Sequence, residues 1–132
     1  MSSAVYAGSF DPITNGHVAI IRSGLVAFDR IIVAVLTNTT KQPLFSVEDR
    51  VEMIRDALDD DPRVEVDRFE HGLLTDYASA KGVDVILRGL RAAGDYFFVS
   101  STLVKEAASL GGDVKGVVPA LVEKKLRDKF AR

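Results

Sequence analysis

Short apolar runs alternate along this chain with stripes of apolar residues at helical spacing, and that alternation leaves few folds open. Ala4-Val5-Tyr6-Ala7 stops at Gly8, and the longer β-branched run Ile31 to Leu36 stops at Thr37-Asn38. Runs this continuous belong to strands buried on both faces. Between them Val18, Ile21, Leu25 and Phe28 recur at steps of three, four and three, which puts them on one face of a helix. The unit then repeats. Val47, Val51, Ile54 and Leu58 form a second stripe, Arg63 to Val66 a third strand and Leu73 to Ala80 a third helix. Val83 to Leu87 forms a fourth strand, entered through the turn Lys81-Gly82. Strands that alternate with helices pair in parallel, so the chain is expected to be α/β: a single-domain, Rossmann-like, doubly wound parallel sheet with flanking helices. A chain of 132 residues has room for one such domain and not for two.

The charge balance sets where an anion can be held. With 17 Lys and Arg against 19 Asp and Glu, no global field favours nucleic acid or a membrane surface, and neither is expected as a partner. An anionic ligand must be gripped locally. The absence of cysteine removes disulfides, thiol nucleophiles and cysteine zinc sites, and leaves two histidines as the only imidazoles. Met1-Ser2-Ser3 leads directly into the first strand without a charged leader, and no apolar stretch reaches bilayer length, so the expected location is the cytoplasm.

Ligands of such a sheet lie outside the carboxyl ends of its strands, which brings Gly8 to His17, Thr37 to Lys41 and Arg88 to Asp95 to one rim. In the first loop, Gly8-Ser9-Phe10-Asp11-Pro12-Ile13-Thr14-Asn15-Gly16-His17, the glycine lets backbone approach a ligand and Ser9 adds a hydroxyl. Asn15 or Gly16 is the expected cap of the following helix. His17 falls in its first turn, where N–H groups and the dipole favour an anion. An isolated Gly-His pair ordinarily just turns and caps the chain; a strand, a glycine turn and a His-led helix together point to a phosphate seat.

The remaining candidates are open to two readings each. A loop lysine such as Lys41 is ordinarily solvated, but here it follows the second strand and projects toward the same rim. Arg88 and Arg91, around Gly89-Leu90, suit either bidentate phosphate binding or ion pairs with Asp84 and Asp95. Ser100-Ser101-Thr102 opens a helix running to about Leu110, where one hydroxyl would cap it and three would suit a triphosphate. His71 and the charged stretch Asp56 to Arg63 read as surface. Gly111-Gly112 ends the Ser100 helix, and Val118, Val122, Leu126 and Phe130 mark a last amphipathic one.

One interval breaks the pattern. Only nine residues separate Leu87 from Phe97-Phe98-Val99, the next strand-like run, whereas a parallel crossover takes at least about ten to twelve. A crossover is therefore missing near residues 95–97.

In this order the segments resemble the bacterial phosphopantetheine adenylyltransferases, nucleotidyltransferases marked by a T/H-x-G-H motif that stands here as Thr14-Asn15-Gly16-His17. Lys41 with Pro43-Leu44-Phe45, Leu73-Leu74, Arg88-Gly89-Leu90-Arg91, Ser100-Ser101-Thr102 and Gly111-Gly112-Asp113-Val114 extend the resemblance along nearly the whole chain. The four-residue motif alone marks the superfamily; joined to Arg-Gly-Leu-Arg it is far narrower. The resemblance implies that residues 1–132 form one nucleotidyltransferase domain that joins the adenylyl group of ATP to 4′-phosphopantetheine in coenzyme A biosynthesis, giving dephospho-coenzyme A and pyrophosphate. It implies that His17 stabilises the transition state, as a cation or as an N–H donor, and that Ser9, Lys41, Leu74 and Arg88 bind phosphopantetheine. ATP would be held by Ser9, Phe10, His17, Gly89, Leu90, Arg91, Tyr96, Phe97, Phe98, Val99, Ser100, Ser101 and Thr102. It further implies magnesium, carried with ATP, and a homohexamer. The family pattern carries an acidic, aromatic-rich helix and another strand after the position of Asp95, where Tyr96-Phe97-Phe98 follows here at once. Another phosphate acceptor, or nucleotide binding without catalysis, are the alternatives.

Overall fold

β1 (Ser3–Gly8) becomes the middle of the sheet because Val5 faces one side, Ala4 and Tyr6 the other, and all three are buried. In the computed structural model, which describes residues 2–37, 42–70, 72–83, 85–87, 104–105, 108–111 and 116–130, β1 pairs in parallel on both edges. Its register with β2 (Arg30–Leu36) runs from Ser3 opposite Arg30 to Gly8 opposite Val35. On the other edge Ala4 to Tyr6 face Val85 to Leu87 of β4 (Val85–Leu87). β3 (Val64–Phe69) extends β2 outward, giving the order β3-β2-β1-β4 among the described residues. The chain thus winds one way from β1 and then returns across it. The reversal falls between β1 and β4, at whose carboxyl ends a ligand crevice is expected.

Both faces of the sheet are covered. Ile31, Val33 and Val35 meet Ile21 of α1 (Asn15–Ala27), Met53 and Ile54 of α2 (Val47–Ala57), and Val122 and Leu126 of α4 (Ala120–Phe130). Val5, Ile32 and Ala34 point the other way, toward Val83 and Ala78 of α3 (Leu74–Ala80). The helix starts have local causes. Ser46 accepts the Asp49 N–H at 3.1 Å to begin α2, with Glu48 and Asp49 placed well for the helix dipole.

Several boundaries differ from the sequence reading. β3 continues beyond Val66 through Asp67, Arg68 and Phe69, because an edge strand can carry polar residues whose partners lie off the sheet. Asp67 accepts the Tyr77 hydroxyl at 2.7 Å and pairs with Lys81 at 3.1 Å, while Arg68 reaches Glu48 at 3.0 Å. Val83 is buried but precedes the ladder, so β4 holds three residues. α4 starts at Ala120, after Pro119, with Val118 buried ahead of it. Of the helix expected from Ser100 to Leu110, Val104, Lys105, Ala108 and Ser109 are helical and the other positions but Leu110 lie outside the described residues; so do Asp84 and His71. No helix among the described residues is long and apolar enough to cross a membrane.

Gly24 sets how close α1 comes to the sheet. A Cβ there would press on Ile31 Cδ1 and lie 2.9 Å from Leu87 Cδ1, so a side chain at 24 requires those two side-chain ends to shift. Gly24→Leu is expected to destabilise the fold by about 1–3 kcal/mol through overpacking, despite the better helix propensity of leucine. Urea unfolding monitored by circular dichroism checks this, and an unchanged midpoint contradicts it.

Candidate active site

The chain leaves β1 at Gly8 and turns sharply. A Cβ at Gly8 would sit 3.2 Å from the Phe10 ring, so glycine lets that ring fold back over the strand end. Phe10 takes φ 46°, a left-handed conformation that costs a non-glycine residue on the order of 1 kcal/mol or more. Its ring is edge-on to Tyr6 at 5.4 Å and to His17 at 5.1 Å. Burial in this aromatic group pushes the Tyr6 hydroxyl up to about 12 and keeps it neutral. A cis bond joins Asp11 to Pro12.

The cap of α1 corrects the expectation. Thr14, not Asn15 or Gly16, is the N-cap, and His17 sits at the third helical position, where capping boxes ordinarily carry Glu or Gln. The His17 N–H donates to Thr14 Oγ1 at 3.4 Å, and the Thr14 N–H donates to His17 Nδ1 at 3.0 Å. Thr14 Oγ1 also lies 3.1 Å from Nδ1 and can give it the hydroxyl proton. Because a backbone N–H is always a donor, Nδ1 must be the unprotonated nitrogen and the ring proton belongs on Nε2. Burial pushes the imidazole pKa from 6.5 down to about 4. Of the two forms expected, the geometry keeps the neutral N–H donor.

The helix terminus itself is less open to an anion than the sequence suggests. The Asn15 N–H donates to Val117 O at 2.9 Å and the Asn15 side chain to Gly116 O at 2.9 Å, while the His17 N–H is taken by Thr14. The Phe10 N–H, by contrast, makes no hydrogen bond to any described residue.

Two buried charges hold this loop, one within it and one beneath it. Asp11, 1% exposed, accepts the Leu44 N–H at 2.8 Å and the Phe45 N–H at 2.9 Å and stands 3.6 Å from Lys105 Nζ. Arg50 of α2, also 1% exposed, donates from Nη1 to Ser9 O at 3.0 Å and Leu36 O at 3.2 Å, and from Nε to Phe45 O at 3.2 Å. The sequence reading assigned roles to neither, nor to Lys105. The three-residue spacing of Thr14 from His17 is the capping-box spacing, the one sequence signal for this reciprocal cap.

Ser9, Phe10 and His17 therefore lie together at the end of β1. Leu74 opens α3 at the end of β3 and packs against the sheet with Phe69 and Tyr77. Its neighbour Leu73 is exposed and lines an open cleft of about 400 Å³ with Arg68, Phe69, Gly72 and Tyr77. Lys41, Arg88, Gly89, Leu90, Arg91, Tyr96, Phe97, Phe98, Val99, Ser100, Ser101 and Thr102 lie outside the described residues.

A family model described as cytidylyltransferase-like matches residues 5–105, and the chain belongs to that family of nucleotidyltransferases. It is 46% identical to a phosphopantetheine adenylyltransferase of Anaeromyxobacter sp. (strain K), over 98% of this chain and 96% of that one. It is 44% identical to the phosphopantetheine adenylyltransferase of Carboxydothermus hydrogenoformans, over 100% of this chain and 98% of that one. The enzyme of the same name from Desulfosudis oleivorans is 43% identical over 98% and 94%. Within the wider family the chain takes its place among the phosphopantetheine adenylyltransferases. The alignment with the Anaeromyxobacter relative runs over 158 positions, more than the 132 residues of this chain, so the relative carries positions without a counterpart here.

The tautomer is directly measurable. In the ligand-free protein, ¹⁵N spectra are expected to show His17 as the neutral Nε2–H form at pH 6, titrating only near 4. The unfolded chain takes up that proton near 6.5, so His17 makes stability fall as the pH is lowered from about 6.5 to about 4. A His17 titration near 6.5 contradicts the assignment.

Proposed function

We propose that this chain transfers the adenylyl group of ATP to 4′-phosphopantetheine, giving dephospho-coenzyme A and pyrophosphate. A phosphate oxygen of phosphopantetheine attacks the α-phosphorus; the bond from that phosphorus to the oxygen bridging the β-phosphate breaks, and pyrophosphate leaves in line. The attacking phosphate is already ionised near neutral pH, so no general base is needed. The observation that carries this reading is the orientation of His17: its Nδ1 is held by the Thr14 backbone N–H and hydroxyl, an arrangement suited to donating from Nε2.

The work left to the protein is positioning two polyanions and stabilising charge on the phosphoryl oxygens. In this reading the Nε2–H of His17 and the N–H of Phe10 bond the α-phosphate. Lys41 and Arg88 hold the acceptor phosphate, with Ser9 beside them and Leu74 near the organic arm. Gly89 to Arg91 and Tyr96 to Thr102 take the rest of ATP. Among the described residues no three acids or imidazoles gather to hold a metal, and the Asp11 carboxylate is already engaged by two N–H groups and Lys105. In this reading magnesium enters with the triphosphate as part of the substrate and would offset phosphate charge there. We assign the protein to the cytoplasm, where ATP is plentiful, and to a homohexameric assembly. The natural protein is expected to carry the crossover that this sequence lacks after Asp95; an intact mass above 14.3 kDa is the expected result, and a mass of 14.3 kDa overturns it.

Incubation with labelled ATP and, separately, phosphopantetheine, nicotinamide mononucleotide or glycerol phosphate tests the assignment. Labelled dephospho-coenzyme A is expected from the first alone. ATP binding without pyrophosphate exchange would make the chain a nucleotide-binding module instead. His17→Ala is expected to lower turnover by about 10²- to 10³-fold, the loss that follows removal of one preorganised donor. Turnover within a few-fold of the parent removes His17 from the mechanism.

A further inference from the structure

One of the two fully buried charges among the described residues lies outside the segments that the sequence motifs mark. Arg50 is 1% exposed, and no carboxylate among the described residues forms an ion pair with it. Burying an unpaired guanidinium costs several kcal/mol, and a methionine would fill the same space without that cost. Something must be gained from the donors. They go to three carbonyls from three separate stretches at the carboxyl rim: Ser9 after β1, Leu36 at the end of β2 and Phe45 before α2.

The bond to Ser9 O has a consequence one atom further on. The only cis peptide among the described residues is Asp11–Pro12, so the Ser9–Phe10 peptide is trans. In a trans peptide the C=O and the following N–H point in opposite directions. With Ser9 O held inward on Nη1 at 3.0 Å, the Phe10 N–H is turned away from Arg50, and it bonds to no described residue. The left-handed φ of Phe10 makes this orientation costly on its own. Rotating the peptide by half a turn would bring φ back to negative values and swing the N–H inward. Arg50 opposes that rotation.

We propose that Arg50 is a positioning residue for the transfer: by clamping Ser9 O it locks the Ser9–Phe10 peptide in the strained orientation that presents the Phe10 N–H to the reacting phosphate. The proposal rests on the reading of Phe10 as an α-phosphate donor. It explains why a guanidinium and not an ammonium is buried here. Nη1 and Nε must reach carbonyls on diverging stretches at once, which a planar fork does and a single nitrogen does not.

Arg50→Lys keeps the charge and loses the fork; Arg50→Met loses both. Both variants are expected to lower kcat per folded molecule by about 10²-fold, with KM for each substrate within about threefold of the parent, the pattern of an interaction made in the transition state. The Phe10 amide resonance of the ligand-free protein should shift in Arg50→Lys. A merely structural role would lower the melting temperature and leave kcat per folded molecule unchanged, and that result overturns the proposal. Should neither variant fold, the parent decides: its Phe10 amide is expected to exchange rapidly with solvent and to move when ATP is added, and a protected or unmoved amide overturns the proposal. If the parent makes no dephospho-coenzyme A while Arg50→Lys still displaces the Phe10 amide, the proposed reaction fails and the clamp stands.

Discussion

Thr14 and His17 exchange hydrogen bonds across the first turn of α1, and from that exchange follow both the start of the helix and the state of the imidazole. A helix needs its first N–H groups satisfied, and Thr14 Oγ1 takes one of them. In return the Thr14 N–H occupies Nδ1, leaving the ring no choice of tautomer. Capping with a glutamate at the same position would serve the helix equally well and leave a carboxylate at the rim of the sheet. Histidine closes the same box with an uncharged ring whose other nitrogen is a donor.

The same loop is held from beneath by opposite charges that do not pair with each other. Asp11 draws the stretch at Leu44 and Phe45 toward the first loop through two N–H groups, and Arg50 draws Ser9, Leu36 and Phe45 together through their carbonyls. Main-chain groups at strand ends lack ladder partners, so charged side chains are well matched to them: a carboxylate for donors, a guanidinium for acceptors. The first loop, the end of β2 and the entry to α2 therefore behave as one body. Asn15 adds the stretch before α4 through Val117 and Gly116.

Much of the architecture was legible because it depends on nearest neighbours. The runs Ala4 to Ala7 and Ile31 to Leu36 are too apolar for any place but a covered parallel sheet, and the stripe through Val18, Ile21 and Leu25 fixes which face of α1 is inward. The misread boundaries lie where local pattern and environment part. β3 looked short because Asp67 and Arg68 are polar, yet an edge strand has room for them. In α2 the stripe Val47, Val51, Ile54 and Leu58 meets the core as expected, but Arg50 and Met53 are buried beside it. An arginine there reads as surface until its carbonyl partners are known.

The sequence alone determined the order of elements, the rim on which a ligand must lie and the identity of the groups in the first loop, since strand, turn and helix preferences act over a few residues. It also set Thr14 and His17 at the spacing of a reciprocal cap. Tertiary structure decided the rest: how far burial lowers the His17 pKa, which N–H groups of the rim are already taken, and that Arg50 lies under Ser9. These depend on contacts between residues 33 to 101 positions apart, or on how deeply the ring is buried. No periodicity records such contacts, because each is fixed by where packing brings two separate stretches of chain together.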